Sequence, residues 1–192
     1  MAVVHKLLTP ADFEEMANRG EFDQEGCWYE LVDGEVICVP NPEWIHAQVI
    51  MLIGWALRAF AEQIRAVVMA SGVGFIVGEH HQQVRDPDLS LITKQRRDEL
   101  LVRGRRLVQH APDLAVEVLS KEQHGEAYAK PKVAEYLAAG AKVVWLVDYE
   151  AKTVRAYEAG KAEYTVYSGD DAITLDAIAP GFSAPVSSFF PE

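Results

Sequence analysis

Asp88 and Glu117 are the most informative chemical pair in the chain. Asp88 lies in the string RDPDLS and Glu117 in PDLAVEVLS, short apolar-rich runs that read as adjacent strands of a buried mixed sheet. An ionised carboxylate in such a place is costly unless a cation or hydrogen bonds compensate it. Two acids together suit a hard cation: magnesium takes oxygen ligands, usually one or two carboxylates with waters and phosphate oxygens completing the shell. A structural alternative stands beside this one, in which backbone donors or a neighbouring arginine, with Arg85 as a candidate, satisfy both acids.

Between the two acidic strings, residues 94–106 (KQRRDELLVRGRR) hold six basic and two acidic side chains, a local sum of +4. The whole chain, with 18 Lys and Arg against 29 Asp and Glu, carries −11, which opposes indiscriminate adhesion to nucleic acid or anionic membrane. A polyanion must therefore meet a local patch. Lys94, Arg96, Arg97, Arg103, Arg105 and Arg106 can contact phosphates, contacts that supply affinity without sequence information. A solvated helix or loop face is the other reading of such a run.

These side chains need a scaffold. The 192 residues, 49% hydrophobic and 24% charged, have the composition of one ordinary domain spanning 1–192, large enough to fold without disulfides or a structural metal. Thr9-Pro10 followed by early acids marks a helix start. WYELV and EVICV flank Asp33-Gly34, predicting a hairpin with strands at about 28–32 and 35–39. If Val32 pairs with Glu35, then Glu30 faces Ile37 and shares a sheet face with Trp28 and Val32, which sets a carboxylate on an apolar stripe. From Pro42 to about Val68 the apolar residues recur at spacings of three and four, which predicts a packed helix with His46 in its first turns. Strands follow at Val73–Val77, Asp86–Ile92, Leu114–Leu119 and Val143–Val147, with a helix over roughly Glu126–Ala139. TVRAYE and AEYTVY form a further hairpin, and the aromatic tail GFSAPVSSFFPE reads as packed irregular structure. The apolar run Val49–Ala61, broken by Gly54 and Arg58, falls short of the ~20 residues of a membrane span. With no secretory pattern in MAVVHKLLTPADFEEM, the expectation is a cytoplasmic protein, and the two cysteines, Cys27 and Cys38, read as reduced thiols. His80, His81, His110 and His124 have no zinc spacing and read as surface or loop residues.

Five strings, YELVDG at 29–34, RDPDLS at 85–90, PDLAVEVLS at 112–120, KVAEY at 132–136 and WLVD at 145–148, occur in an order that resembles a known family. Together they are similar to the PD-(D/E)XK nuclease superfamily and, within it, to the Uma-two family of restriction-endonuclease-like proteins, over about residues 8–170. The resemblance implies an α/β (α+β) fold: a restriction-endonuclease-like core of a central mixed sheet flanked by helices, with an added N-terminal helix and hairpins. It implies that Asp88 and Glu117 hold Mg2+ or Mn2+, helped by the main-chain carbonyl of Val118. The superfamily pattern sets a lysine two positions after the glutamate, where this chain has Leu119. The family lysine of KxxxY compensates, and Lys132 matches it, with Lys121 and Lys130 as competitors. Its task is to orient or deprotonate a water and to offset charge on phosphate. Proline has no backbone donor, so the helix bearing Lys132 can start at Pro131. Glu30 matches the glutamate of YELVDG, and His46 a histidine near the start of the first core helix. Either can complete the site, and Glu30 pairing a lysine in the hairpin or a structural His46 is the alternative. Tyr136 reads as a core aromatic with a bonded hydroxyl.

The leading expectation is a magnesium-dependent endonuclease acting on DNA, with Asp88, Glu117, Lys132, Glu30 and His46 at its site. A catalytically inactive DNA- or protein-binding module on the same fold is the rival, with Leu119 marking a degenerate site. A third reading makes Asp88, Glu117 and Lys132 a buried ionic cluster without a ligand. Self-association as a homodimer, through a hairpin edge or the tail around Phe182, Phe189 and Phe190, is a further expectation.

Overall fold

The Asp33-Gly34 turn joins β1 (Cys27–Val32) to β2 (Glu35–Pro40), and both turn residues take the positive φ, 50° and 78°, that a two-residue hairpin loop requires. Val32 pairs with Glu35 and Glu30 with Ile37, as alternation predicts. This hairpin belongs to a computed structural model that describes residues 7–22, 26–78, 82–120 and 126–191, the side chains of 126–128 excepted. Lys121, His80, His81 and His124 therefore lie outside the described residues. Cys27 and Cys38 are joined by a disulfide, where reduced thiols were expected. The register sets Cys38 opposite Tyr29, and the two cysteine Cα atoms, 5.7 Å apart, lie within bridging range.

Before the hairpin, α1 (Pro10–Asn18) starts at Thr9, whose hydroxyl accepts from the Asp12 N–H while the Asp12 carboxylate accepts from the Thr9 N–H. After it come α2 (Trp44–Ile64), β3 (Val67–Ala70), β4 (Gly74–Val77), β5 (Gln83–Arg85), β6 (Leu89–Ile92) and α3 (Lys94–Leu100). Then follow β7 (Leu107–Gln109), β8 (Leu114–Leu119), α4 (Glu126–Ala138), β9 (Val143–Asp148), β10 (Thr153–Glu158), β11 (Thr165–Ser168), β12 (Ala172–Thr174) and β13 (Ser183–Pro185). One sheet has the order β2-β1-β5-β4-β7, the second β11-β10-β9-β8-β6-β3, and β12-β13 form a ribbon. Both larger sheets are mixed, β8 running parallel to β9 and β4 parallel to β7 among antiparallel neighbours. The architecture is α+β, a mixed central sheet flanked by helices.

The strand expected over Asp86–Ile92 is confined to β6, Leu89–Ile92, and Asp86–Asp88 form the crossing from β5 of the first sheet. Pro87 cannot donate to a ladder, and the Asp86 carboxylate instead accepts from the Gly72 and Val73 N–H groups, so the chain leaves one sheet and enters the other across Asp86-Pro87-Asp88. Helix α4 runs through Pro131 rather than starting there. The tail is partly regular: β13 pairs with β12, and Phe182, Phe189 and Phe190 are buried against Val49, Phe60 and Trp145, so they offer no free surface for self-association.

Strand β8 is the centre of the core. Leu114, Val116 and Val118 pack toward Val49, Ile53 and Leu57 of α2, while Ala115 and Leu119 pack with Ala129, Val133 and Tyr136 of α4. By the period of two, Glu117 shares the α4 side. Helix α2, expected to reach about Val68, ends at Ile64 before β3 begins at Val67, and at 21 residues it is still long and apolar enough, by length and composition alone, to cross a bilayer. Here its Val49, Ile53, Leu57 and Phe60 face pack on the second sheet.

Candidate active site

Asp88, Glu117 and Lys132 converge from three segments at one end of the second sheet, where Asp88 immediately precedes β6, the antiparallel neighbour of β8. All three are buried. The Lys132 Nζ lies 2.9 Å from Glu117 Oε2 and 3.3 Å from Glu30 Oε1, and the Tyr136 hydroxyl donates to Glu117 Oε1 at 2.7 Å. Lys132 and Tyr136 are four residues apart, so one face of α4 presents both to the carboxylate. Leu119, at the superfamily's lysine position, is 2% exposed and packed among Ala129, Val133 and Tyr136. The ammonium beside Glu117 comes instead from Lys132 on the helix that faces β8, with Lys130 exposed on the same helix.

Asp88 is held differently. Its Oδ2 accepts from the Val118 N–H at 2.6 Å and lies 3.2 Å from His46 Nε2, while Oδ1 has no hydrogen-bond partner among the described residues. His46 comes from the first turn of α2 and is 5% exposed. Burial works to lower its pKa, but the hydrogen bond and charge of Asp88, with the Val118 backbone and Glu117, raise it above 6.5.

Glu30 stands behind the lysine. Its Oε2 accepts from Arg85 Nη1 at 2.7 Å, and Arg85 also forms a two-toothed pair with Glu135 at 2.6 and 3.0 Å. Arg85 therefore satisfies Glu30 and Glu135 rather than the Asp88–Glu117 pair. Arg85 was expected as a partner of the buried acids, but Glu135 is a site residue that sequence reasoning missed; its separation of 50 residues from Arg85 leaves no local signal. Asp86 is a third acid beside the site, pushed up to about 6 by burial and by the charges of Asp88 and Glu30, against its backbone donors. Burial first, then the charges of Asp88 and Glu30, push Glu117 up against the opposing influence of Lys132 and Tyr136.

A cleft of about 370 Å³ opens onto these groups, lined by His46, Asp86, Asp88, Glu117, Ser120 and Lys132 together with Trp28, Val39, Pro40, Asn41, Pro42, Glu43 and Tyr149. No cluster of three or more His, Cys, Asp and Glu side chains able to hold a metal is present among the described residues. The donor set still fits a hard divalent cation of the kind the resemblance implies. Two carboxylates lining one cleft, one of them with a free oxygen, match the modest protein share of a magnesium shell.

None of the six basic residues of 94–106 lines the cleft. Arg96 is a structural tie, donating to the Ala111 and Gly140 carbonyls and reaching Asp113 at 3.4 Å. Arg97 pairs with Asp98, while Lys94, Arg103, Arg105 and Arg106 are exposed. Asp113, fully buried, accepts from the Thr93 N–H and hydroxyl, so the first acid of the PDLAVEVLS string secures the start of α3.

A family model described as "Uma2: Putative restriction endonuclease" matches residues 10–187. Among solved structures, the crystal structure of a putative nuclease belonging to DUF820 from Anabaena variabilis aligns with a TM-score of 0.72 over 85% of this chain and 89% of that one, at 20% sequence identity. At that identity the likeness establishes the fold. No curated protein matches the chain.

Proposed function

Because the chain belongs to the Uma2 family, we propose that it is a divalent-metal-dependent nuclease that hydrolyses phosphodiester bonds in DNA. The observation that supports this reading is the meeting of Asp88, Glu117 and Lys132 in the lining of one cleft. Asp88 and Glu117, with the main-chain carbonyl of Val118, would hold Mg2+ or Mn2+. When bound, the cation supplies charge stabilisation to the phosphate and acidity to a bound water.

The chain's own groups account for the rest. Lys132 Nζ, 2.9 Å from Glu117 Oε2, can orient a water and offer positive charge to a phosphoryl oxygen. Glu30, itself fixed by Arg85, holds that ammonium in place. His46 and the Val118 N–H together fix one oxygen of Asp88, which leaves the other to face a ligand. Both oxygens of Glu117 are held, Oε1 by the Tyr136 hydroxyl and Oε2 by Lys132. In the reaction, water oxygen bonds to phosphorus, the P–O bond to the leaving sugar oxygen breaks, and that oxygen takes a proton.

The test is thermal stability against Mg2+ and Mn2+ for the natural chain, Asp88→Ala, Glu117→Ala and Lys132→Ala, followed by cleavage of plasmid and linear DNA. Metal should stabilise the natural chain and Lys132→Ala, not the two acid variants, since a ligand bound only by the folded state raises stability. Stabilisation of none of them removes the basis for metal catalysis. Leu119 at the superfamily's lysine position favours a second reading, an inactive DNA- or protein-binding module. Partner affinity unchanged after both acid substitutions would select it.

A further inference from the structure

Resting on the nuclease reading, we infer that the cleft takes a single unpaired DNA strand, with one base stacked on Trp28. Trp28 and Glu30 are two residues apart on β1 and so point to one face of the sheet. Glu30 reaches Lys132 Nζ at 3.3 Å, and Trp28 lines the cleft together with its cross-strand partner Val39. Trp28 lines the same cleft as Asp88 and Glu117, so a phosphate held at the acids leaves a neighbouring base of its strand facing the indole.

Size and charge both favour a strand over a duplex. A volume of about 370 Å³ lies at the low end of pockets that accept one small molecule, enough for a nucleotide unit but not for a base pair with both backbones. Four carboxylates line the cleft, from Glu43, Asp86, Asp88 and Glu117. The only Lys or Arg among its described lining residues is Lys132, which already bridges two carboxylates. Duplex affinity comes largely from neutralised phosphates, and this lining gives few. The exposed arginines leading into β7 stand away from the hairpin, because β5 and β4 separate β7 from β1, three strand spacings or about 14 Å. Stacking of a base on an aromatic face does not depend on such cations.

The platform is also rigid. The disulfide joins Cys27, next to Trp28, to Cys38, next to Val39, so the two strands that carry the wall are tied at the level of the ring. An aromatic held in place loses little entropy when a base covers it.

The experiment measures fluorescence anisotropy of labelled oligothymidylate, alone and annealed to oligoadenylate, with Ca2+ replacing Mg2+ to suppress cleavage. Cleavage of both forms in Mn2+ is measured in parallel. The natural chain should bind and cut the single strand in preference to the duplex. Trp28→Ala should weaken binding by roughly 5- to 150-fold, the equivalent of about 1–3 kcal/mol of base–aromatic stacking, and Trp28→Phe should retain most of it. Trp28→Leu, which fills the wall without a π face, carries the same expectation should the alanine variant fail to fold. Equal affinity for the duplex, or single-strand binding unchanged in Trp28→Leu, overturns the inference. Cutting of duplex without strand preference does so while leaving the nuclease reading intact. Trp28-dependent strand binding without any cleavage upholds strand capture and overturns the nuclease.

Discussion

Replacing Lys132 by alanine tests the electrostatics of the site and its chemistry together. The ammonium is 5% exposed and lies within 3.3 Å of oxygens from both Glu30 and Glu117, with Asp88 adding a third negative charge nearby. Removing one partner of a buried ion pair costs about 3–5 kcal/mol because the other charge is left uncompensated. For a chain of this size that lowers Tm by about 6–20 °C. The loss depends on pH in a defined direction. Burial and the charges of Asp88 and Glu30 raise the Glu117 carboxyl from 4.5 to about 7 even with Lys132 beside it. A carboxyl raised on folding binds more protons folded than unfolded, so its contribution to stability falls as pH climbs from the unfolded value to the folded one. Without Lys132 that window extends upward, so the deficit of the variant should be smallest near about pH 5 and largest near about pH 8. Saturating Mn2+ should narrow it by restoring positive charge. Cleavage should fall about 10²- to 10⁴-fold, the usual contribution of a positioned proton-transfer group. Calorimetry across pH, paired with single-turnover cleavage, reads both effects. A deficit independent of pH refutes the electrostatic account, and full cleavage by a destabilised variant shows that Lys132 serves only as a structural ion.

Further outcomes follow from the same geometry. His46→Ala removes the side chain that holds Asp88 Oδ2 at 3.2 Å and should weaken metal-induced stabilisation about 10- to 100-fold in apparent affinity, as loss of a ligand-orienting partner does, read by a Mn2+ titration of Tm. Asp113→Ala should destabilise by about 3–5 kcal/mol and leave metal response unchanged, since its carboxylate ties Thr93, Arg96 and Lys142 away from the cleft. Although burial acts to raise it, the Thr93 N–H and these cations hold the Asp113 pKa below 3.8, so its contribution is present above that value and is lost as pH falls through the folded pKa. Acid unfolding below about pH 4 should therefore be shallower in Asp113→Asn than in the natural chain. Arg105→Ala and Arg106→Ala, both exposed, should each reduce the salt slope of DNA binding by about 1 if they meet phosphates, whereas Arg96→Ala should lower Tm instead.

Local pattern explains which parts of this fold were legible. The Asp33-Gly34 hairpin and the β8 strand (Leu114–Leu119) were readable because their signals, a turn dipeptide and an unbroken apolar run, lie within a few residues. The strand expected from Asp86 begins only at Leu89, because Asp86-Pro87-Asp88 is a crossing between sheets that the Asp86 bonds to Gly72 and Val73 reveal and no local pattern does. The tail concealed β13 because a three-residue strand exists only through its partner, β12. The site divides the same way. A count of basic residues cannot separate Arg96, consumed by backbone carbonyls, from exposed Arg105, and nothing local links Arg85 to Glu135.

Leu119 carries the most general lesson. A strand-borne lysine two residues past Glu117 would lie on the same side of β8, facing α4. Lys132 starts from α4 and reaches Glu117 from across that boundary. The chemistry requires an ammonium at a point between two packed surfaces, and either surface can supply it. Leu119 then fills, with Ala129 and Val133, the apolar space that a second buried lysine would have burdened with an unpaired charge. On this account Leu119→Lys in the natural chain should destabilise, while in Lys132→Ala it should restore part of the lost stability and cleavage. A double variant no better than Lys132→Ala in both measures would show that the two positions are not interchangeable.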